Sequence, residues 1–333
     1  MSPQSLFSIG DPSHVAAART ALGDLMHSGG FDETRAGRGG LMLTEAATNI
    51  LKHAGEGSML MRSLSSDGLK GVEILALDKG PGIADWERSS ADGVSSAGTP
   101  GTGLGAMRRL SDEFDVYTRD KGGTIVRMAL WSGAMKTGAG TCNVGTVCIP
   151  VKGEEVCGDS WGIATHADGV TLVVADGLGH GLQAHDASMA AVEVLMKYPA
   201  DPPTRLLDTA HGALRATRGA AMAVARCDFA KREITYAGAG NISGSVAGVG
   251  QRKQMISHAG IVGHKIHSSR QLSYPWPQGA LLIMHSDGLE TQWNLDDYPG
   301  LAERHPALVA AVLYRDYTRG RDDVTVVVLR AGH

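Results

Sequence analysis

The chain has 333 residues, 31 basic and 35 acidic, for a net charge of −4, with 43% hydrophobic and 20% charged residues. At roughly 150 residues per domain this is about two domains, with enough apolar content for real cores. No Lys/Arg-rich run occurs and no apolar run approaches the ~20 residues that span a bilayer, so neither nucleic acid nor membrane is expected as a partner.

The segment Met1–Phe7 lacks the basic and apolar regions of a signal peptide, which makes a cytoplasmic location the expectation. Cys142, Cys148, Cys157 and Cys227 have no CxxC spacing and read as small hydrophobes, with no zinc site or disulfide framework. Glycine is the outlier: 45 residues, about twice the usual share of ~7%, gathered in clusters.

In chain order, the apolar run 6–9 precedes Asp11-Pro12-Ser13, a helix start followed by Val15, Leu22 and Leu25. A second helix is predicted from about Asp32 to His53. It carries Leu43-Thr-Glu45-Ala-Ala-Thr-Asn49, in which Glu45 and Asn49 lie one turn apart on one face. An amide oxygen there can hold Mg²⁺, and a carboxylate one turn earlier can polarise a hydroxyl. Strands at 58–64 and 72–77 follow, and the second runs into Asp78-Lys79-Gly80-Pro81-Gly82. A carboxylate leaving a strand can accept from an exocyclic amine, and glycines let a base or ribose pack on bare backbone. After a Gly/Ser-rich loop over 80–103, Gly101-Thr102-Gly103-Leu104-Gly105 opens a helix predicted over 104–114, whose free amides suit phosphate oxygens. Strands at 116–118 and 124–131 complete a single sheet faced by helices.

Residues 10–131 resemble the ATP-binding (GHKL) domain shared by histidine kinases, gyrase, heat-shock protein 90 and the serine kinases that regulate sigma factors. The tail from Gly103 to Asp115 is most similar to the switch kinase of the stressosome pathway. The resemblance implies a mixed sheet with helices on one face and a Ser/Thr kinase acting with ATP and Mg²⁺ on STAS-type antagonists. It implies Glu45 as catalytic base, Asn49 as Mg²⁺ ligand and Asp78 as adenine partner. Gly80, Gly82, Gly101, Thr102, Gly103, Leu104 and Gly105 would form the nucleotide cradle. No phospho-accepting histidine helix precedes the domain, and His53 is read as structural.

Residues 132–142 are small, polar and aperiodic, the composition of a linker between domains 1–131 and 143–333. Neither side is a basic arm: 13 basic residues stand against 16 acidic through Met135, and 18 against 19 beyond. The second half reads as short strands at 144–151, 169–175, 220–227, 233–237, 280–285 and 324–329, with helices at 184–196 and 204–217. Two sheets with helices outside would give that order.

Aspartates recur at strand ends: Gly158-Asp159, Ala175-Asp176-Gly177, Ser286-Asp287-Gly288 and Asp322-Asp323-Val324. Each alone is an ordinary turn former. If the strands are neighbours, the carboxylates converge, and such a cluster calls for hard cations, Mg²⁺ or Mn²⁺ rather than zinc. The pattern resembles metal-dependent 2C-type Ser/Thr phosphatases of the bacterial sporulation and stress-response (SpoIIE-like) branch. That resemblance implies a β-sandwich flanked by helices, two Mn²⁺ or Mg²⁺, and Asp159, Asp176, Gly177 through its carbonyl, Asp287 and Asp322 as ligands. Asp322 is preferred to Asp323 by the family's order. His180 is read as a loop histidine held by backbone, with proton donation to the leaving serine as the alternative. Asn241 is left between pocket residue and turn, and no arginine is assigned to the phosphate.

The expected whole is an α+β chain of two domains that phosphorylates and dephosphorylates STAS-domain proteins, with a sigma-factor regulator as a further partner. The alternative is a phosphatase joined to a non-catalytic, ATP-responsive binding module that sequesters a regulator. A metabolic phosphatase of small phosphoesters is the third reading, disfavoured by the ATP domain.

Overall fold

The computed structural model describes residues 4–66, 68–83, 102–134, 142–248, 250–266 and 270–332. The chain separates into two units, Ser2–Gly138 and Ala139–His333.

The first unit runs β1 (Gln4–Ile9), α1 (Pro12–Ser28), α2 (Glu33–Asn49), a π-helical turn (Ile50–Ala54), β2 (Gly57–Ser66), β3 (Leu69–Asp78), α3 (Thr102–Leu110), β4 (Glu113–Thr118) and β5 (Thr124–Trp131). Asp11 starts α1 by accepting from the Ser13 and His14 amides, and Asp32 starts α2 by accepting from the Arg35 amide, each satisfying first-turn donors. The sheet order is β1-β2-β3-β5-β4. Alternate residues Met59 and Met61, Val72 and Ile74, and Val126, Met128 and Leu130 meet Leu22 and Met26 of α1 and Met42, Leu43 and Ala46 of α2. Each such side chain contributes about 1.5–3 kcal/mol of burial.

Three expectations are corrected here. The sheet is antiparallel at every described pairing, not mixed. The chain crosses through α3 to the edge strand β4 and then returns by a tight turn, so β5 comes between β3 and β4. The helix expected to reach Phe114 ends at Leu110, where Asp112 accepts from the Trp131 amide and draws the chain into β4. Finally, α2 stops at Asn49 and widens into the π turn, closed by Gly55 at φ 79°. Such wide turns recur at functional sites.

The second unit begins with β6 (Cys142–Ile149), β7 (Asp159–His166) and β8 (Gly169–Gly177), then α4 (Leu182–Lys197), α5 (Pro203–Ala213), β9 (Ala220–Asp228), β10 (Glu233–Ala239), β11 (Ser243–Gly248) and β12 (Gln251–Gln254). It continues with β13 (Gly260–Ile261), β14 (Lys265–Ile266), β15 (Leu272–Pro275), β16 (Leu281–His285), α6 (Pro306–Tyr317) and β17 (Val324–Ala331). Two antiparallel five-stranded sheets, β15-β10-β9-β8-β7 and β12-β11-β16-β17-β6, form a sandwich, with β13 and β14 as a small hairpin. Inward residues of β8 (Val170, Leu172, Val174) and β9 (Ala223, Ala225) pack on Leu282 and Met284 of β16 and Val327 of β17. The outward set of β8 and β9 (Val173, Ala175, Met222, Val224) lies under Leu195 of α4 and Leu206 and Leu207 of α5. Burial on both faces makes β8 an apolar run interrupted only by the buried Thr171.

Helix α6 covers the other sheet so closely that a Cβ on Gly145 would overlap the backbone of Pro306 and Ala307. No described helix is long and apolar enough to cross a membrane.

Candidate functional site

In the first unit Glu45 and Asn49 share one face of α2, both half-buried. The Asn49 amide lies against the start of α3: a Cβ on Gly103 would come within 3.1 Å of both its Nδ2 and Oδ1. Asp78, at the end of β3, accepts from the Gly80 amide at 2.8 Å and the Thr124 amide at 3.1 Å, both on Oδ1. Gly80 packs on Ala54 of the π turn, and Gly82 at φ +77° passes close against the Arg119 carbonyl, an approach a side chain would block. The ends of α2, β3 and α3 thus meet at one place. Leu104 packs on the core from α3, and Gly105 lies beside the Arg109 guanidinium. Gly101 and the Thr102 side chain lie outside the described residues, as do the linker residues 135–141.

In the second unit Asp159 opens β7 directly opposite Asp176 near the end of β8. The Gly177 amide donates to the Gly158 carbonyl at 3.3 Å, holding the two strand ends together. Ser286, just after β16, joins the two sheets: its hydroxyl donates to Asp159 Oδ2 at 2.6 Å and accepts from the Thr325 amide at 2.9 Å. Asp287 accepts from Asn241 Nδ2 at 2.6 Å. Asp323 takes the Val151 amide on Oδ1 at 2.8 Å and the Gly158 amide on Oδ2 at 2.9 Å, so both its oxygens serve the loop before β7. Its neighbour Asp322 is exposed.

The electrostatics of this end are those of crowded anions. Burial raises Asp176 to about 9, reinforced by Asp159, Asp287, Asp322 and Asp323. Burial holds Asp159 well above the usual carboxylate range, against the Ser286 hydrogen bond that lowers it. Asp287 is raised by burial and then by Asp322, while Arg319 and Asn241 pull it down. Among the described residues, no three Asp, Glu, His or Cys side chains are drawn into one ion-enclosing set; Asp159 and Asp287 face Ser286 and Asn241. The donor chemistry nonetheless fits hard divalent cations: oxygen only, clustered and mutually repelling. The structure brings Asp159, Asp176, Gly177, Asp287 and Asp322 to one end of the sandwich.

Sequence reasoning missed three supports. Ser286, Asn241 and Asp323 reach their partners only through the tertiary fold; Asn241 carried a signal in its glycine-flanked turn, and Asp323 in the strand-end aspartate pair. His180 is held by a carboxylate rather than by backbone, its Nδ1 lying 2.6 Å from Glu154 Oε1. The buried pair His285 and Trp293 backs the Asp287 loop. Trp293 Nε1 donates to His285 Nε2 at 3.2 Å, which leaves Nδ1 to donate to the Ser286 carbonyl at 2.8 Å.

Residues 166–332, half of the chain, match the Stage II sporulation protein E (SpoIIE) family. The chain belongs to that family. Its SpoIIE part is preceded by a match to the histidine kinase-like ATPase domain over residues 10–130. The first unit is 33% identical over 131 residues to the serine/threonine-protein kinase RsbT of Bacillus subtilis (strain 168), covering 39% of this chain and 98% of RsbT. The second is 25% identical over 180 residues to the phosphoserine phosphatase RsbX of the same organism, covering 53% of this chain and 88% of RsbX. A chain solved in work on the bacterial stressosome, a modular system adapted to control secondary messenger signalling, is 27% identical at a TM-score of 0.53, covering 57% of this chain and all of that one. The SpoIIE-family chain is therefore a fusion of a kinase-like ATPase domain with a 2C-type phosphatase domain.

Proposed function

We propose that the chain writes and removes phosphate on Ser or Thr of STAS-type antagonist proteins in a partner-switching pathway, with a sigma-factor regulator downstream. One observation carries the phosphatase half: the Ser286–Asp159 hydrogen bond, which ties the aspartate-bearing strand ends of the two sheets into one locus. In the kinase half, Glu45 would take the proton of the substrate hydroxyl and Asn49 would hold Mg²⁺. Asp78 would accept from the adenine amine, and Gly80, Gly82 and residues 101–105 would form the nucleotide cradle.

In the phosphatase half, Asp159, Asp176, the Gly177 carbonyl, Asp287 and Asp322 would hold two Mn²⁺ or Mg²⁺. When bound, such ions supply an activated water and charge neutralisation for in-line displacement. Ser286 orients Asp159, Asn241 orients Asp287, and Asp323 anchors the loop that leads into Asp159. Joining both activities in one polypeptide raises their effective concentration on a shared substrate domain.

The test uses the full chain, a purified STAS-domain protein and γ-labelled ATP. Label is expected to transfer with wild type but not with Glu45→Ala, and to be released with wild type but not with Asp176→Asn. Tight ATP binding with no transfer to any STAS protein supports the ATP-responsive binding module instead. Release surviving Asp176→Asn removes the metal-site assignment.

A further inference from the structure

Cys148 lies in β6, and Cys157 lies nine residues on, in the corner that leads through Gly158 into Asp159. Their sulfurs are 3.7 Å apart, and Cys148 Sγ also lies 3.8 Å from the Asp159 carbonyl oxygen. Cys148 is fixed: it is 7% exposed and paired with Thr325 of β17. Cys157 is half-buried in the loop between the strands, where its carbonyl meets His185 Nδ1 at 2.9 Å and the next amide donates to Asp323.

We propose that Cys148 and Cys157 are a reversible oxidation site: hydrogen peroxide joins them in a disulfide that switches off the phosphatase centre. The sulfur of Cys157, the more exposed of the two, attacks peroxide. The O–O bond breaks, and one oxygen leaves as water while Cys157 becomes a sulfenic acid. Cys148 then attacks that sulfur, an S–S bond forms, the S–O bond breaks, and the second oxygen leaves as water with the thiol proton. Two electrons pass from the sulfurs to peroxide, giving one disulfide and two waters. A disulfide requires about 2.05 Å between sulfurs, so the contact must close by about 1.7 Å. With Cys148 anchored, the movement falls on the corner carrying Gly158 and Asp159. A displacement of about 1 Å at a catalytic locus is enough to lower a rate by up to a hundredfold.

The switch rests on the phosphatase reading of the aspartate cluster, whereas the disulfide itself does not. The full chain is treated with excess hydrogen peroxide, the oxidant is removed with catalase, and the protein is examined by tryptic mass spectrometry without reductant and by Mg²⁺-dependent dephosphorylation. Cleavage after Lys152 separates the two cysteines, and fragmentation of the joined peptides tells Cys148 from Cys142, which shares its peptide. The expected result is a 148–157 cross-link with a fall in activity of at least about tenfold. Dithiothreitol should reverse both, and Cys157→Ser should show neither. Oxidation without that cross-link, or a cross-link with unchanged activity, overturns the proposal. A fully reduced chain without phosphatase activity contradicts the functional reading instead, and the cross-linked peptide still decides the oxidation site.

Discussion

Replacing Ser286 with alanine tests how the phosphatase end is held together. The hydroxyl donates to Asp159, itself 1% exposed, and accepts from the buried Thr325 amide. Losing a hydrogen bond to Asp159 costs about 1 kcal/mol if the carboxyl is neutral and up to about 3 if it is ionised. The orphaned Thr325 N–H adds about 1–3 kcal/mol. With the Asp159 carboxyl neutral, as burial favours, the two losses come to about 2–4 kcal/mol, or roughly 10 °C in the melting temperature of a domain this size. Calorimetry of the full chain, with and without Mn²⁺, reads this on the transition that Mn²⁺ shifts. The variant should melt roughly 10 °C lower and gain less from Mn²⁺, because the carboxylate that Ser286 orients is no longer fixed. A melting temperature within about 2 °C of wild type, with the full Mn²⁺ gain retained, would refute the reasoning.

Three further outcomes follow from other contacts. Glu73 is 1% exposed and binds Arg62 at 2.7 Å and Arg127 at 2.8 Å, so Glu73→Ala takes a buried carboxylate from both guanidinium groups, Arg127 keeping Glu113 at 2.9 Å, and should lower the stability of the ATPase domain by about 3 kcal/mol in urea unfolding. Gly103→Ala drives a methyl to within 3.1 Å of the Asn49 amide and should weaken ATP binding by about tenfold in calorimetric titration, about 1.4 kcal/mol, while leaving phosphatase activity unchanged. His285 is pushed down to about 4 by burial, below the ~6.5 of an unfolded histidine, so the unfolded chain binds the extra proton. That group's stabilisation is complete above about pH 6.5 and is lost as the pH falls to about 4, an effect of about 3 kcal/mol. The raised carboxyls of Asp159 and Asp176 act in the opposite sense, so the comparison is between wild type and His285→Gln: the wild type should lose more stability between pH 6.5 and 4.

Much of the fold was legible because its strands carry strong local signals. β5 and β9 are apolar runs bounded by turn residues, and Asp176 and Asp287 each follow such a run, which marks them in the sequence. β7 escaped because Asp-Ser-Trp-Gly-Ile-Ala-Thr-His has no clean alternation. Gly162 sits there to let Val192 of α4 come close, a need that appears only once the helix is packed. α6 escaped for the opposite reason: Ala307–Leu313 are all buried, so the segment lacks the polar face that marks an amphipathic helix. At the site, sequence order could not separate Asp322 from Asp323 on physical grounds. In the fold both oxygens of Asp323 accept from backbone amides while Asp322 is exposed, a difference that only tertiary contacts carry. Ser286 was invisible for the same reason: its partner Asp159 lies 127 residues away.

Diffraction at the manganese absorption edge from crystals of the full chain grown with Mn²⁺ tests the aspartate locus most directly. Two anomalous peaks are predicted, shared among Asp159, Asp176, the Gly177 carbonyl, Asp287 and Asp322, with Asp323 still bound to the Val151 and Gly158 amides. Manganese absent from that end of the sandwich, or seated on Asp323 with Asp176 and Asp287 turned away, would contradict it.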